Sequence, residues 1–224
     1  MGLDGFLKGI GLTRREPHAT ASFSQEGEDM ILRRVFRGRK QGFYVDVGAH
    51  APRRFSNTYL FYRRGWSGLN VDAMPGSMVA FDRERPRDVN VEAAIAPEEG
   101  ELTYFMFNEP ALNTLDEAMA RERAVGEYRV VERRKVRARP LRDVLREHLP
   151  RGQAIDFLSI DVEGLDLQVA RSNDWDAYRP EVVLAESSAT TLAEELDSEL
   201  CRFLRGAGYE PFARTVKTLL LRRR

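Results

Sequence analysis

Gly42-Phe-Tyr-Val-Asp-Val-Gly-Ala-His50 is the stretch on which the reading of the chain turns. Phe43 to Val47 is a short aromatic and β-branched run, nearly all apolar, of the kind a buried strand requires. It stops at Gly48-Ala49, two small residues that let backbone come close to a neighbour or a ligand. Twenty-six residues past Asp46 a second such run, Gly68-Leu-Asn-Val71, ends in another acid, Asp72. A strand, a tight small-residue turn and an acid at the tip of the next strand are the parts of a nucleotide-cofactor site.

Working outward, strands and helices alternate. On the N-terminal side, Ser22 with Gln25 three residues on is a capping-box pattern, which predicts a helix from there to about Arg37. The polar run Ser22 to Asp29 reads equally as helix capping or as a wall of the site. Residues 1–21 form an expected arm that packs on the domain or on a second subunit, so a homo-oligomer is one expectation. On the C-terminal side come a helix over 59–64, strand two at 68–72 and a helix from Pro75 through Phe81. Strand three is expected over Val89–Ile95 and an antiparallel strand over Glu101–Phe107. Residues 108–128 read as a solvated connection into an exposed helix. Val130–Ala138 is a basic strand with one wet face, and a helix runs from Pro140 to about His148. Ile155–Ile160 is the fourth core strand, followed by a helix over 165–171. Glu181–Ala185 is the fifth strand, a helix spans 192–205, and a terminal hairpin occupies 209–221. The expected fold class is α/β, a mostly parallel sheet with helices on both faces.

In an open sheet of this kind, ligands sit beyond the C-terminal ends of the strands. There the sequence offers Asp46 to His50, Asp72-Ala73, Ala94-Ile95, Asp161 with Glu163, and Glu186. Asp72 is placed to accept both hydroxyls of a ribose. A dinucleotide site needs Gly-x-Gly-x-x-Gly, but Gly48 to Arg53 lacks the second and third glycines, and Pro52 lacks an N–H. No Walker loop is present. S-adenosylmethionine, which carries a ribose without phosphates, fits better, and its cationic groups suit Asp46 and Asp161. Asp161 and Glu163 then have two readings. One holds the cofactor while the other acts as general base, or Asp161, Glu163 and Glu186 hold a hard divalent ion such as Mg²⁺. His50 is a further candidate base.

Composition bounds the rest. Across 224 residues the chain is 42% apolar and 31% charged, with zero formal net charge. Zero net charge supplies no field toward nucleic acid. No apolar run approaches the ~20 residues of a membrane span, and the lone cysteine, Cys201, excludes an internal disulfide. A cytoplasmic protein without a transmembrane segment is expected.

These residues together resemble the FkbM family of class I S-adenosylmethionine-dependent methyltransferases. The resemblance rests on Ser24 to Asp29, Phe43 to His50, Phe55-Ser-Asn-Thr58, Gly65-Trp66 with Asp72, Leu112-Asn-Thr114, and Ile155-Asp-Phe-Leu-Ser-Ile-Asp-Val-Glu-Gly164. It covers roughly 22–221 and makes 22–224 the methyltransferase domain. It implies a Rossmann-like sheet of seven strands closing in an antiparallel hairpin, and methyl transfer to oxygen on sugars of glycans, glycolipids or natural products. By position it implies that Asp46, Gly48 and Ala49 form the first cofactor motif, that Asp72 is the ribose-binding acid, and that Asp161 and Glu163 face the reactive methyl; Ala73 and Ala94, at the strand tips, are further candidate cofactor-binding residues. The chain departs from the common pattern at His50-Ala-Pro52, where Asn and a second Gly are usual, and at Ser159, where Lys is usual. Two other classes stay open on the sequence: a different adenosine-cofactor enzyme such as a divergent dehydrogenase, and a non-catalytic interaction module.

Overall fold

In a computed structural model, which describes residues 18–224, the alternation of apolar runs and polar turns resolves into two sheets. The larger has seven strands. Its parallel part is β1 (Phe43–Val47), β2 (Ser67–Asp72), β3 (Val89–Glu92), β7 (Phe157–Ile160) and β8 (Val182–Glu186). The terminal strands β9 (Tyr209–Arg214) and β10 (Thr218–Arg223) run antiparallel, and the order across the sheet is β3-β2-β1-β7-β8-β10-β9. This is the expected Rossmann-like architecture. From β1 the chain moves outward to β2 and β3, then returns to lay β7 on the other side of β1. The crevice therefore opens where β1 and β7 end side by side.

Both faces of the sheet are covered, which is why its central strands are apolar throughout. Val45 and Val47 look toward α5 (Leu141–His148), α6 (Asp166–Ser172) and α8 (Glu199–Gly206). Tyr44 looks the other way, toward α1 (Glu28–Val35) and α2 (Tyr59–Tyr62), where Phe36, Phe61, Trp66 and Phe157 form an aromatic cluster. Burying each of these rings stabilises the fold by roughly 2–3 kcal/mol, and Trp66→Ala would cost about 3–5 kcal/mol.

Several expectations on element boundaries are corrected. The helix predicted from Ser22 begins only at Glu28, with Gly27 at its N-cap and no side-chain cap. The Ser22 hydroxyl is drawn off to Asp29: it and the Ser24 hydroxyl donate to Oδ1 at 2.6 and 3.0 Å, while the Phe23 N–H donates to Oδ2 at 2.8 Å. Strand three is two strands. β3 stops at Glu92, Ala93 turns its N–H to the Asp72 carbonyl, and β4 (Ala94–Ile95) joins a separate sheet of order β4-β6-β5. That sheet holds β5 (Gly100–Phe107) and the basic strand β6 (Val130–Arg139). The helix predicted over 192–205 is broken at Ser198 into α7 (Leu192–Asp197) and α8. Ser198 closes the first and caps the second, its hydroxyl accepting from the Cys201 N–H at 3.0 Å. Cys201 itself is fully buried. The helix expected from Pro75 is α3 (Met78–Glu84).

Most of the expected N-terminal arm, residues 1–17, lies outside the described residues. Among the described residues no helix is long and apolar enough to cross a membrane.

Candidate active site

The β1 turn commits its own amides. The Gly48 and Ala49 N–H groups both donate to the Val71 carbonyl, at 2.9 and 3.1 Å, and the His50 N–H donates to Asp72 Oδ2 at 2.8 Å. The Ala51 N–H bonds back to the Ala49 carbonyl. No amide in this run points outward to cradle a pyrophosphate, which argues against the dinucleotide alternative on geometry as well as on missing glycines. Gly48 is left-handed at φ +83°, and a Cβ there would lie 1.7 Å from the Asp161 carbonyl oxygen. The turn is therefore packed directly on the end of β7.

Asp72, at the tip of β2, is buried and held by two backbone N–H groups, His50 on Oδ2 and Met74 on Oδ1, each at 2.8 Å. Each oxygen keeps a lone pair for a ligand hydroxyl. Burial pushes its carboxyl above the usual range, and the two N–H groups pull it partly back. Asp72, Ala73, Val71, Ala93 and Gly48 line a crevice together with Asp161 and Glu163. His50 lines it too, in a left-handed conformation at φ 54°, its ring stacked 6.3 Å from Phe55. Burial lowers the His50 pKa, so its imidazole is neutral at neutral pH.

Three candidates of the first cofactor motif and strand tips sit elsewhere. Asp46 is outside the crevice lining; its Oδ2 accepts the Thr58 hydroxyl at 2.8 Å. Ala49 packs against Met78 and Phe81. Ala94 packs in the small sheet beside Tyr104 and Val136, and its neighbours Ala93 and Ile95 face the crevice instead. The stretch 108–128, expected as a solvated connection, supplies an outer wall: residues Pro110 to Leu115 line the crevice, and α4 (Glu117–Arg123) brings in Arg123. Gln25, from the polar run before α1, lines it as well.

Asp161, Glu163 and Glu186 converge, with one carboxylate oxygen of each within 4.8 Å of the others. Glu163 sits at φ 57° and is ion-paired with Arg123. Glu186 has Lys217 Nζ at 3.8 Å. Among the described residues Asp161 has no cationic partner and its Oδ1 is buried without a hydrogen bond, while its carboxyl also meets that of Glu186. Burial first, then the charges of Glu186 and Glu163, push its carboxyl well above the usual range. Arg123 and Lys217 are the functional candidates that sequence reasoning missed. Neither carried a signal beyond its place in a charged stretch or a hairpin turn.

A sequence model described as the methyltransferase FkbM domain matches residues 46–211. The chain belongs to the FkbM methyltransferase family. An FkbM domain implies S-adenosylmethionine as methyl donor, and the residues present fit that group. Asp72 keeps free acceptor capacity beside small apolar residues, the turn demands no phosphate, and the orphaned Asp161 oxygen suits a cationic ligand group. No curated protein matches the chain significantly. Among solved structures, a TehB-like SAM-dependent methyltransferase from Corynebacterium glutamicum is 10% identical, with 98% of this chain and 94% of that one covered and a TM-score of 0.39. At that score the likeness carries no weight.

Proposed function

We propose that this FkbM domain methylates a hydroxyl oxygen of a sugar, with Asp72 holding the cofactor ribose and Asp161 acting as the base. The observation that carries the reading is that these two acids line one crevice, one anchored by backbone N–H groups and one, among the described residues, with an unpaired oxygen. When bound, S-adenosylmethionine supplies a sulfonium methyl, so that a new O–CH₃ bond forms as the C–S bond breaks and its electron pair stays on sulfur. Gly48, Asp72, Ala73 and Ala93 bind and orient on the ribose side.

A sugar hydroxyl is a weak nucleophile and needs a positioned base. Asp161 is the first candidate, because it lines the crevice and its raised pKa makes it a stronger base than an ordinary carboxylate. Glu163 is second, since Arg123 already engages it, and His50 third. Separate Asp161→Asn and Glu163→Gln variants test the assignment. Both should keep S-adenosylhomocysteine binding, and Asp161→Asn should lose about 10²–10⁴-fold in turnover over a panel of sugars and nucleotide-sugars. Turnover at the parental rate in both variants would sink it.

A second reading is favoured by the convergence of Asp161, Glu163 and Glu186 within 4.8 Å. Three oxygen donors at that spacing suit a divalent ion that would draw an acceptor hydroxyl toward its alkoxide. Assays with Mg²⁺ and with chelator separate the two readings. Turnover that survives chelation belongs to the base, and turnover that chelator abolishes and Mg²⁺ restores belongs to the ion.

A further inference from the structure

Two cavities flank the acid cluster. One is the crevice at Asp72. The other, of about 1260 Å³, lies beyond the ends of β8 and β10 and is lined by Asp166, Leu167, Glu186, Ser187, Thr190 and Val216 among others. Arg123 and Lys217 line both, so the two share a wall where Glu163 and Glu186 stand.

Asp166 has no part in the chemistry above. It is 5% exposed and lines the second cavity, and among the described residues its Oδ1 has no hydrogen-bond partner. A buried acceptor left unmet costs about 1–3 kcal/mol, and a ligand hydroxyl is the donor that would relieve it. Charge decides which hydroxylated ligand. Glu26, Asp166 and Glu186 line this cavity, with Asp161 and Glu163 adjoining. Against them, Arg123 is committed to Glu163, Lys217 is 3.8 Å from Glu186, and Arg214 is bonded to Glu195 at 3.0 Å. Several basic residues beyond the cavity are paired as well. Arg53 pairs with Glu84, Arg54 with Glu109, Arg134 with Glu132, and Arg137 with Glu99. Every cation lining this cavity already has an acid partner, so an anionic ligand finds no free countercharge there. A neutral polyol finds the carboxylates, the hydroxyls of Ser187 and Thr190, and the apolar sides of Leu167 and Val216 for its C–H face.

We propose that the second cavity is the acceptor groove, that its ligand is a neutral polyhydroxyl group such as an uncharged sugar ring, and that Asp166 accepts a hydrogen bond from one of its hydroxyls. This rests on the methyltransferase reading, and it brings acceptor and cofactor to the acid cluster from opposite sides.

The test is saturation-transfer NMR on the full chain with S-adenosylhomocysteine present. The probes are methyl α-D-glucopyranoside, methyl α-D-mannopyranoside and the anionic methyl β-D-glucuronide. A neutral glycoside should receive saturation and the glucuronide should not. Two variants read the groove. Asp166→Asn keeps the side-chain shape, and Val216→Trp adds bulk at a position 74% exposed, where the fold tolerates it. Each should weaken neutral-glycoside binding about fivefold or more while calorimetry finds S-adenosylhomocysteine affinity within about twofold of the parent. Parental glycoside binding in either variant overturns the proposal. So does preference for the glucuronide, or the absence of glycoside binding to the parent chain. Failure of the parent to bind S-adenosylhomocysteine is a separate result, which overturns the methyltransferase reading itself.

Discussion

Gly48 and the Asp161 carbonyl are packed so closely that a Cβ on Gly48 would sit 1.7 Å from that oxygen. The glycine at the β1 turn is thus required by a protein neighbour, the end of β7, in addition to any ligand. Gly48→Ala meets both this overlap and the cost of φ +83° for a residue with a side chain, about 1–2 kcal/mol. The overlap is with backbone, so relief means parting β1 from β7 at the site. Overpacking of this sort typically adds about 1–3 kcal/mol. A lowered urea midpoint with an unchanged m-value, together with loss of S-adenosylhomocysteine binding, is the expected outcome. A variant as stable as the parent would contradict the packing described.

Asp72 gives a pH dependence whose sign follows from its burial. A ribose hydroxyl donates to the carboxylate, so binding is full when Asp72 is ionised. Its pKa is raised by burial, so affinity should fall as pH drops through a value above the ~3.9 of a free aspartate. Asp161 is raised as well, so the parent profile alone is ambiguous. The difference between parent and Asp72→Asn isolates Asp72. The variant should bind S-adenosylhomocysteine at least about tenfold more weakly near pH 8, since hydrogen bonds to a charged group are worth about 1.5–3 kcal/mol. Titration calorimetry from about pH 8 down to the acid limit of the folded chain should find the two curves converging toward the acid end. Parallel curves would remove Asp72 from the ribose.

Arg85 is wholly buried beneath the sheet and was invisible in the sequence. Its guanidinium donates to Asp88 Oδ2 at 2.8 Å, the Tyr44 hydroxyl at 2.8 Å and Thr58 Oγ1 at 2.9 Å. Asp88 in turn accepts from the Gly68 N–H and Asn70 Nδ2. Arg85→Met leaves Asp88, whose side chain is fully buried, without its cation, a loss of about 3–5 kcal/mol in comparable buried pairs. Asp88→Asn added to Arg85→Met should recover part of that loss, because the uncompensated charge is then gone. Denaturant unfolding of the two single variants and the double measures the coupling. Strict additivity would mean that the pair does not act as a unit.

What could be read from the chain and what could not divide along physical lines. The strands at 43–47, 67–72, 157–160 and 182–186 are legible because a strand buried on both faces must be apolar throughout, and the acids at their tips follow from that register. Asp72, Asp161 and Glu186 were visible for this reason. Arg85 was not, because its partners lie up to 41 positions away and one arginine looks like another in an arginine-rich chain. The start of α1 was misplaced because Asp29 takes the Ser22 hydroxyl that a capping box would use. The division of strand three at Ala93 depends on a second sheet, whose existence no local pattern announces. Asp46 fell on the cofactor motif by position, yet its side chain bonds to Thr58, since neighbours on a strand face opposite sides and Val47 has the crevice.

The crevice at Asp72 encloses about 190 Å³, below the roughly 300–1,000 Å³ usual for a small-molecule site. A nucleoside-sized cofactor therefore needs a wall to move. The strand ends are fixed by the sheet, and residues 110–115 form the longest continuous stretch of the wall outside it. Polar tethers hold that segment. The Thr114 hydroxyl donates to the Glu163 carbonyl at 2.9 Å, Asn113 Oδ1 accepts from the Phe107 N–H at 2.7 Å, and Phe105 and Thr114 exchange backbone bonds at 2.9 and 3.2 Å. Such contacts can be exchanged for water at a small net cost of about 0.5–1.5 kcal/mol each. Saturating S-adenosylhomocysteine should therefore alter amide hydrogen exchange across 110–115 strongly, and across the buried strand at 157–160 hardly at all. Thr114→Val, which removes one tether, should raise exchange in 110–115 before ligand is added. Exchange in 110–115 that is the same with and without saturating ligand would mean that the wall does not move, and that the cofactor enters elsewhere.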